Sequence, residues 1–429
     1  MSVRVIAIAL VALFAAACEK PSHENIDKWT HTERGKGKLI SAFEDEGLDP
    51  DLSGHAGANL MRMGDDADVK AGFGKMTPAR RSALVGKMAA RMWDVARIDG
   101  DLALPRVDQV QAKDALVALR KQADDATKAQ IDTYLIDWYC VRSYDRRAET
   151  GAVLGATVIR MVGAPAAKKL MPIVNSIITA PADGTKHERV GDQLLVALAV
   201  SGSPDAVKYL VDLARMKSPD QTLASRSLAA LYKAYVDPES QFDVQVPDAL
   251  AANIAGLEAI ARDPDAGDGE AYAIKLIRTI GPPQCIAPLV ELIGYPHPNP
   301  NLKLVAADSA LKCGGVAAIK DVVHALPDAN YARDQLFGAV AAITQMTPPA
   351  KAEAQLRELL GERGRIPRWV AIEVLTAMKS ATDAPAIAAV SSSEKLTGFW
   401  GDQSGVDPKD RKAEPTLAQR AHDLAATLK

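Results

Sequence analysis

One spacing recurs along this chain and limits what it can fold into. After Gly281, in "IGPPQCIAPLVELIG" (280–294), Ile286, Leu289, Val290 and Ile293 fall at i, i+3, i+4 and i+7, the stripe of one helix face. Val207, Leu210, Val211 and Ala214 repeat it after Gly202. Ile319, Val322, Val323 and Leu326 repeat it after Gly314, and Ala167, Leu170, Met171 and Val174 after Gly163. The stripes begin at 167, 207, 286 and 319, gaps of 40, 79 and 33 residues. The middle gap is about two periods, with a degenerate copy at Leu250, Ala251 and Ile254 inside it. Such a period marks stacked units, none of which can bury its apolar face alone.

Each glycine also closes an apolar run, as a left-handed residue just past a helix end would. The runs are "LLVALAVSG" to Gly202, "AIKLIRTIG" to Gly281, "AADSALKCG" to Gly314 and, without a glycine, "VAIEVLTAMKS" to Ser380. Each unit therefore reads as two antiparallel helices. The expected fold is all-α, an α-solenoid of helix pairs. Aromatics are 5% of the chain and apolar residues 48%, which suits close helix-on-helix packing and argues against a β-rich fold.

"CIAPLVELIG" followed by "NLKLVAADSALKCGG" resembles a HEAT repeat. Pro288 and Pro172 match the mid-helix proline that bends the first helix of that family, and Lys303 and Arg368 stand where it usually has an Arg opening the second. "DPDLSGHAGANLMRMG", from Asp49, resembles another second helix. The resemblance covers 36–390. It implies an architecture, and a binding scaffold rather than any particular activity.

The first 17 residues read as a lipoprotein signal peptide: Arg4, an apolar run Val5–Ala17 of 13 residues, and small residues before Cys18. The run is short of the roughly 20 residues a spanning helix needs. Ala15-Ala16-Ala17-Cys18 resembles the bacterial lipobox, although that motif prefers Leu where Ala15 stands. The resemblance implies acylation of Cys18 and a periplasmic chain, and Glu19 leans towards the outer membrane. Residues 18–35 are polar and read as a tether; 391–414, rich in Gly, Asp, Ser and Lys, as a loop or linker; 415–429 as a capping helix.

No catalytic motif emerges. Gly-x-Ser-x-Gly and the phosphate loop are absent, and the serines of "VSGSPD" sit at a turn, with Ser203 as an N-cap. The seven histidines show no i, i+4 pair, so zinc is unsupported. In "DPDAGDGE" (263–270) the EF-hand register fails, with Gly267 at position 5 and Ile274 at 12. A formal charge of −3 makes no electrostatic case for nucleic acid. No catalytic residue, metal, cofactor or small-molecule substrate is therefore assigned.

Two aromatic clusters are the candidate protein-binding residues. Trp138 and Tyr139 lie in "YLIDWYCVRSYDRR" (134–147), where Tyr134 and Trp138, four apart, equally suit core between helix layers. Phe399 and Trp400 lie in the glycine-flanked "TGFWGDQ", either docked on the chain's own surface or open to a partner. Cys285, one turn into the first helix of a unit, and Cys313, at the end of the second, form a candidate disulfide, with two separate buried thiols as the alternative, while Cys140 is expected to stay reduced. The expected function is a lipid-anchored, non-enzymatic scaffold holding another envelope protein. The alternative is an enzyme or enzyme accessory resembling the HEAT-like bilin lyases.

Overall fold

The periodic stripes become helices, and the described residues contain no strand; one isolated bridge joins Lys395 and Thr416. The structure, a computed structural model, describes residues 19–180, 188–216, 220, 222–237, 246–328, 333–401 and 403–428. The signal peptide and Cys18 lie outside this set. The fold is all-α. Contacts divide the chain into two units, Met1–Ile177 and Ile178–Lys429, where the repeat pattern suggested one continuous span over 36–390.

In the first unit Pro50–Arg62 is the centre, packed by His23–Trp29, Gly35–Glu44, Asp66–Lys75, Pro78–Ala96 and Val107–Arg120. Every residue from Ser53 to Met61 is buried. Small residues make this crowding possible. A Cβ on Gly57 would stand 2.7 Å from the Phe43 ring and 2.9 Å from Met88 Sδ, and one on Gly54 2.7 Å from Lys87 Cβ.

The segment read as a tether is folded. Residues His23–Trp29 form a helix capped by Ser22, whose Oγ accepts from Asn25 N at 3.2 Å, and its Ile26 and Trp29 are buried. The apolar pair three residues apart was the available signal, hidden among thirteen polar or charged neighbours of 19–35. A polar relay fastens the same helix. His55 Nε2 lies 2.7 Å from Asp27 Oδ1, His55 Nδ1 lies 2.9 Å from His23 Nδ1, and His23 Nε2 lies 3.2 Å from Asp51 Oδ2. Arg91 donates to Asp51 at 3.0 Å, and Asn59 to Asp27 at 3.0 Å.

In the second unit one row of helices runs Asp192–Val200, Leu223–Tyr235, Asp268–Thr279, Asn301–Gly314, Arg333–Thr344, Arg365–Ala377, Leu417–Ala426, each packed on the next. These include all four glycine-closed or serine-closed runs. Striped helices pack beside them: Pro204–Arg215 on Leu223–Tyr235, Ile286–Gly294 on Asn301–Gly314, and Pro349–Leu360 on Arg365–Ala377. Two stripes point fully inward, with Val207, Leu210, Val211 and Ala214 buried and Ile319, Val322, Val323 and Leu326 likewise, whereas in the 286–293 stripe Leu289 and Ile293 are buried and Ile286 and Val290 half-buried. The degenerate copy is broken into Pro247–Ala251 and Ile254–Ala261, and Leu257 and Ile260 supply its core.

Side-chain ties join successive helices. Arg226 binds Asp192, Asp220 and Val190 O; Arg357 binds both oxygens of Asp383 at 2.8 and 3.0 Å; and Arg420 binds both of Glu373 at 2.7 and 2.8 Å. Pro288 lies in the first turn of Ile286–Gly294, where its missing N–H has no intrahelical partner to lose, so it does not bend the helix. Pro172 does sit inside Ala164–Ile178. Ser203 occupies an N-cap position but its side chain makes no capping bond.

Gly163, Gly202 and Gly281 have positive φ, as expected, whereas the helix ending at 314 runs through its glycine and Gly315 turns instead. Where no glycine was available, Lys379 takes φ 57°. A left-handed residue with a Cβ costs about 1–2 kcal/mol, partly offset in glycine by its greater freedom when unfolded. Lys379→Gly should therefore raise stability by about 0.5–1 kcal/mol. An unmoved or lower denaturation midpoint would contradict that account.

Burial, and then Arg91, hold the His55 pKa below its ordinary value against the pull of Asp27. The folded state thus binds fewer protons at His55 than the unfolded one, so docking is complete above about pH 6.5 and weakens as pH falls. The 2.9 Å gap between the two Nδ1 atoms accommodates one proton, not two. Hydrogen exchange at the amides of 24–28, corrected for intrinsic rate, should accelerate as the pH falls below about 6.5. Unchanged protection over that range would refute it.

Candidate partner-binding site

The aromatic stretch 134–147 is core. Trp138 and Tyr139 are fully buried, their rings edge to face at 4.5 Å, with Tyr144 beside them. Their polar tips are satisfied inside: Trp138 Nε1 donates to Ala96 O at 3.1 Å and Tyr139 OH to Val153 O at 3.1 Å. Lys113, also fully buried, donates to Val153 O and Thr150 O and lies 5.5 and 5.7 Å from the Trp138 and Tyr139 ring centres. Neither aromatic reaches solvent, so neither is a contact residue. Tyr134 stacks on Trp93 at 5.0 Å, outside that core. Cys140 is free, and burial pushes its thiol up to about 12.

What the stretch does is brace a loop. Arg147, buried, donates to Trp138 O at 2.6 Å, Gly100 O at 3.1 Å and Ala103 O at 3.3 Å, and Ser143 Oγ donates to Asp101 O. From the other side Gln109 Nε2 donates to Arg97 O at 2.7 Å while its Oε1 accepts from Arg106 N at 2.9 Å. With its carbonyls held inward, the loop turns its aliphatic side chains outward: Leu102, Leu104 and Val107 are 65%, 61% and 75% exposed. Large exposed apolar residues on one braced turn are the form of a contact surface. Sequence reasoning passed over them because "DLALPRV" has no helical period; the apolar residues between Asp101 and Pro105 were the signal.

Residues 391–414 are irregular yet docked on their own unit. Phe399, 8% exposed, lies 6.0 Å from Trp369 and 6.5 Å from Phe337 between ring centres, with the Arg420 guanidinium 5.0 Å above it. Glu414 accepts from Gly398 N and Phe399 N at 3.1 and 3.0 Å, and Arg333 donates to Phe399 O at 3.1 Å. Phe399 is thus core. Trp400 is 43% exposed; its Nε1 donates to Ala413 O at 3.1 Å and Lys412 Nζ sits 4.7 Å from the ring. Of the four aromatic candidates it alone keeps an open face.

One polar cleft, of about 480 Å³, is lined by Asp268, Glu270, His297, Asn299 and Leu302. Asn299 N donates to His297 Nδ1 at 3.0 Å, which leaves the proton on Nε2, 3.3 Å from Glu270 Oε1. Burial raises the Glu270 pKa. Among the described residues no group of three or more His, Cys, Asp or Glu is placed to hold a metal. Cys285 and Cys313 are joined, their Cα atoms 6.6 Å apart; Cys285 stands at the N-cap of its helix rather than a turn inside it. Closing that 28-residue separation contributes about 3–4 kcal/mol in a chain-entropy account.

Trp138→Ala should cost about 3–5 kcal/mol of stability. A stable variant that merely lost a bound protein would return this residue to the interface. Compared with known proteins, the chain matches no family model and no curated protein.

Proposed function

We propose that this protein is a lipid-anchored, non-enzymatic scaffold of the bacterial cell envelope, a HEAT-like α-solenoid that holds another protein while its acyl chain holds the membrane. The lipobox-like Ala15-Ala16-Ala17-Cys18 supports the anchor, and the row of successively packed helices in the second unit supports the solenoid. The single observation that carries partner binding is the braced loop with Leu102, Leu104 and Val107 outward. Fully buried by a partner, each side chain contributes about 1.5–3 kcal/mol, and the brace has already met the cost of ordering the loop.

A second reading, an enzyme or enzyme accessory, has the Glu270–His297 cleft in its favour, where a buried acid faces an imidazole of fixed tautomer. Against it stands the sequence, which carries no catalytic motif at these residues.

Pull-down with the acyl-free mature chain tests the preferred reading. A Leu102→Asp/Leu104→Asp variant should lose the captured envelope protein by tenfold or more, roughly 1.4 kcal/mol at least, with stability changed by no more than about 0.5 kcal/mol. Equal capture by this variant would exclude the loop. Loss of capture in Glu270→Gln alone would favour the second reading.

A further inference from the structure

The residue that follows Cys18 is fastened to the folded body. Glu19 Oε2 accepts from Trp29 Nε1 at 2.9 Å and from Lys38 Nζ at 3.1 Å, and its Oε1 from Lys28 Nζ at 3.3 Å. Asn25 Nδ2 donates to Lys20 O at 2.9 Å, closing the next step of the chain as well. These donors pull the Glu19 carboxyl down to about 2, so the clasp stays charged at any pH the envelope meets. As an extended tether, the 17 residues 19–35 would let an anchored body stand off by up to about 60 Å. With His23–Trp29 docked and Glu19 clasped, that reach is gone, because the residue bonded to Cys18 is itself held on the body.

Beside the clasp lies an open cleft of about 460 Å³, lined by Glu19, Trp29, Arg34, Gly37, Lys38 and Ser41 among others. Arg34 makes no hydrogen bond or ion pair to another described residue, although its neighbours Lys28, Lys36 and Lys38 are all paired. An exposed, unpaired guanidinium, with Lys28 and Lys38 gathered on one carboxylate beside it, suits the phosphate layer of a bilayer. We propose that this face of the first unit lies flat against a phospholipid bilayer, with the acyl anchor leaving at the edge of the Glu19 cleft. The inference rests on the lipid-anchored reading and adds to it an orientation: the partner must approach from elsewhere on the molecule.

The test uses the full acylated chain in vesicles of phosphatidylethanolamine with a minority of phosphatidylglycerol, some lipids carrying a nitroxide on the headgroup. A fluorophore is placed through Gly37→Cys in a Cys140→Ser background; a Cβ at position 37 meets nothing within 4 Å. Emission should be quenched severalfold, and the quenching should largely vanish in Arg34→Glu, which sets a carboxylate against the phosphate layer while the Glu19 contacts stay in place. Mass spectrometry of the same sample reports acylation. An acylated chain whose position-37 fluorophore is unquenched, or equally quenched in Arg34→Glu, overturns the orientation alone. An unacylated chain overturns the anchor and the orientation together.

Discussion

Helices that are apolar on every side have no stable place except among other helices, and the second unit depends on that constraint. Leu194 to Val200 are seven consecutive buried residues, and Trp369 to Leu375 seven more. One neighbour covers only one stripe of such a helix. Each therefore needs cover on more than one side: Arg365–Ala377 has a predecessor and a successor in its row and Pro349–Leu360 on its flank, and Asp192–Val200 has its successor and the striped Pro204–Arg215. The striped helices, polar on their outer faces, finish the burial at the surface. Arg357 and Arg420 then fix the register of segments that apolar contact alone would leave free to slide, because a two-pronged guanidinium accepts only one alignment of its carboxylate, and Arg226 does the same by spreading its bonds over Asp192, Asp220 and Val190 O.

The first unit solves a different problem. Its core carries polar and charged side chains, among them Lys113 and Arg147, and burying a charge is tolerable only when its donors find acceptors. Lys113 reaches the Asp114 carboxylate and the carbonyls of Thr150 and Val153, and Arg147 the carbonyls of Trp138, Gly100 and Ala103, with its Nε left unpartnered. The arrangement satisfies groups that no helix or strand could satisfy and makes rigid two segments with no regular structure. The aromatic rings cover those cations from the other side. A cluster that composition marks as a binding site is, in three dimensions, the support for a loop that exposes aliphatic residues instead.

The two ends of the chain follow the same logic. Polar composition at 19–35 and 391–414 suggested tether and linker, yet both are docked, each through a few apolar residues among many polar ones: Ile26 and Trp29 in the first, Leu396 and Phe399 in the second. In each case a carboxylate gathers donors around the docked aromatic. Glu19 takes the Trp29 indole and two lysines; Glu414 takes the backbone of Gly398 and Phe399. Window-averaged polarity misses such segments because two buried side chains suffice to dock ten residues when the polar groups around them are paired.

Periodicity by itself determined the helices, their pairing and the positions of most turns, because the 3.6-residue stripe and the left-handed glycine act within a few residues of chain. It also brought Cys285 and Cys313 near each other as a candidate pair, although it set Cys285 a turn inside its helix where the structure has it at the N-cap. Only the tertiary structure decided which aromatics face solvent, that Lys379 substitutes for a glycine, that the chain divides near 177, and that Glu19 and His55 fasten the first helix. Each of those depends on partners far away in sequence: Trp138 on Ala96, His55 on Asp27, Phe399 on Trp369 and Arg420. A side chain's exposure is a property of what packs over it, and local sequence carries no record of that.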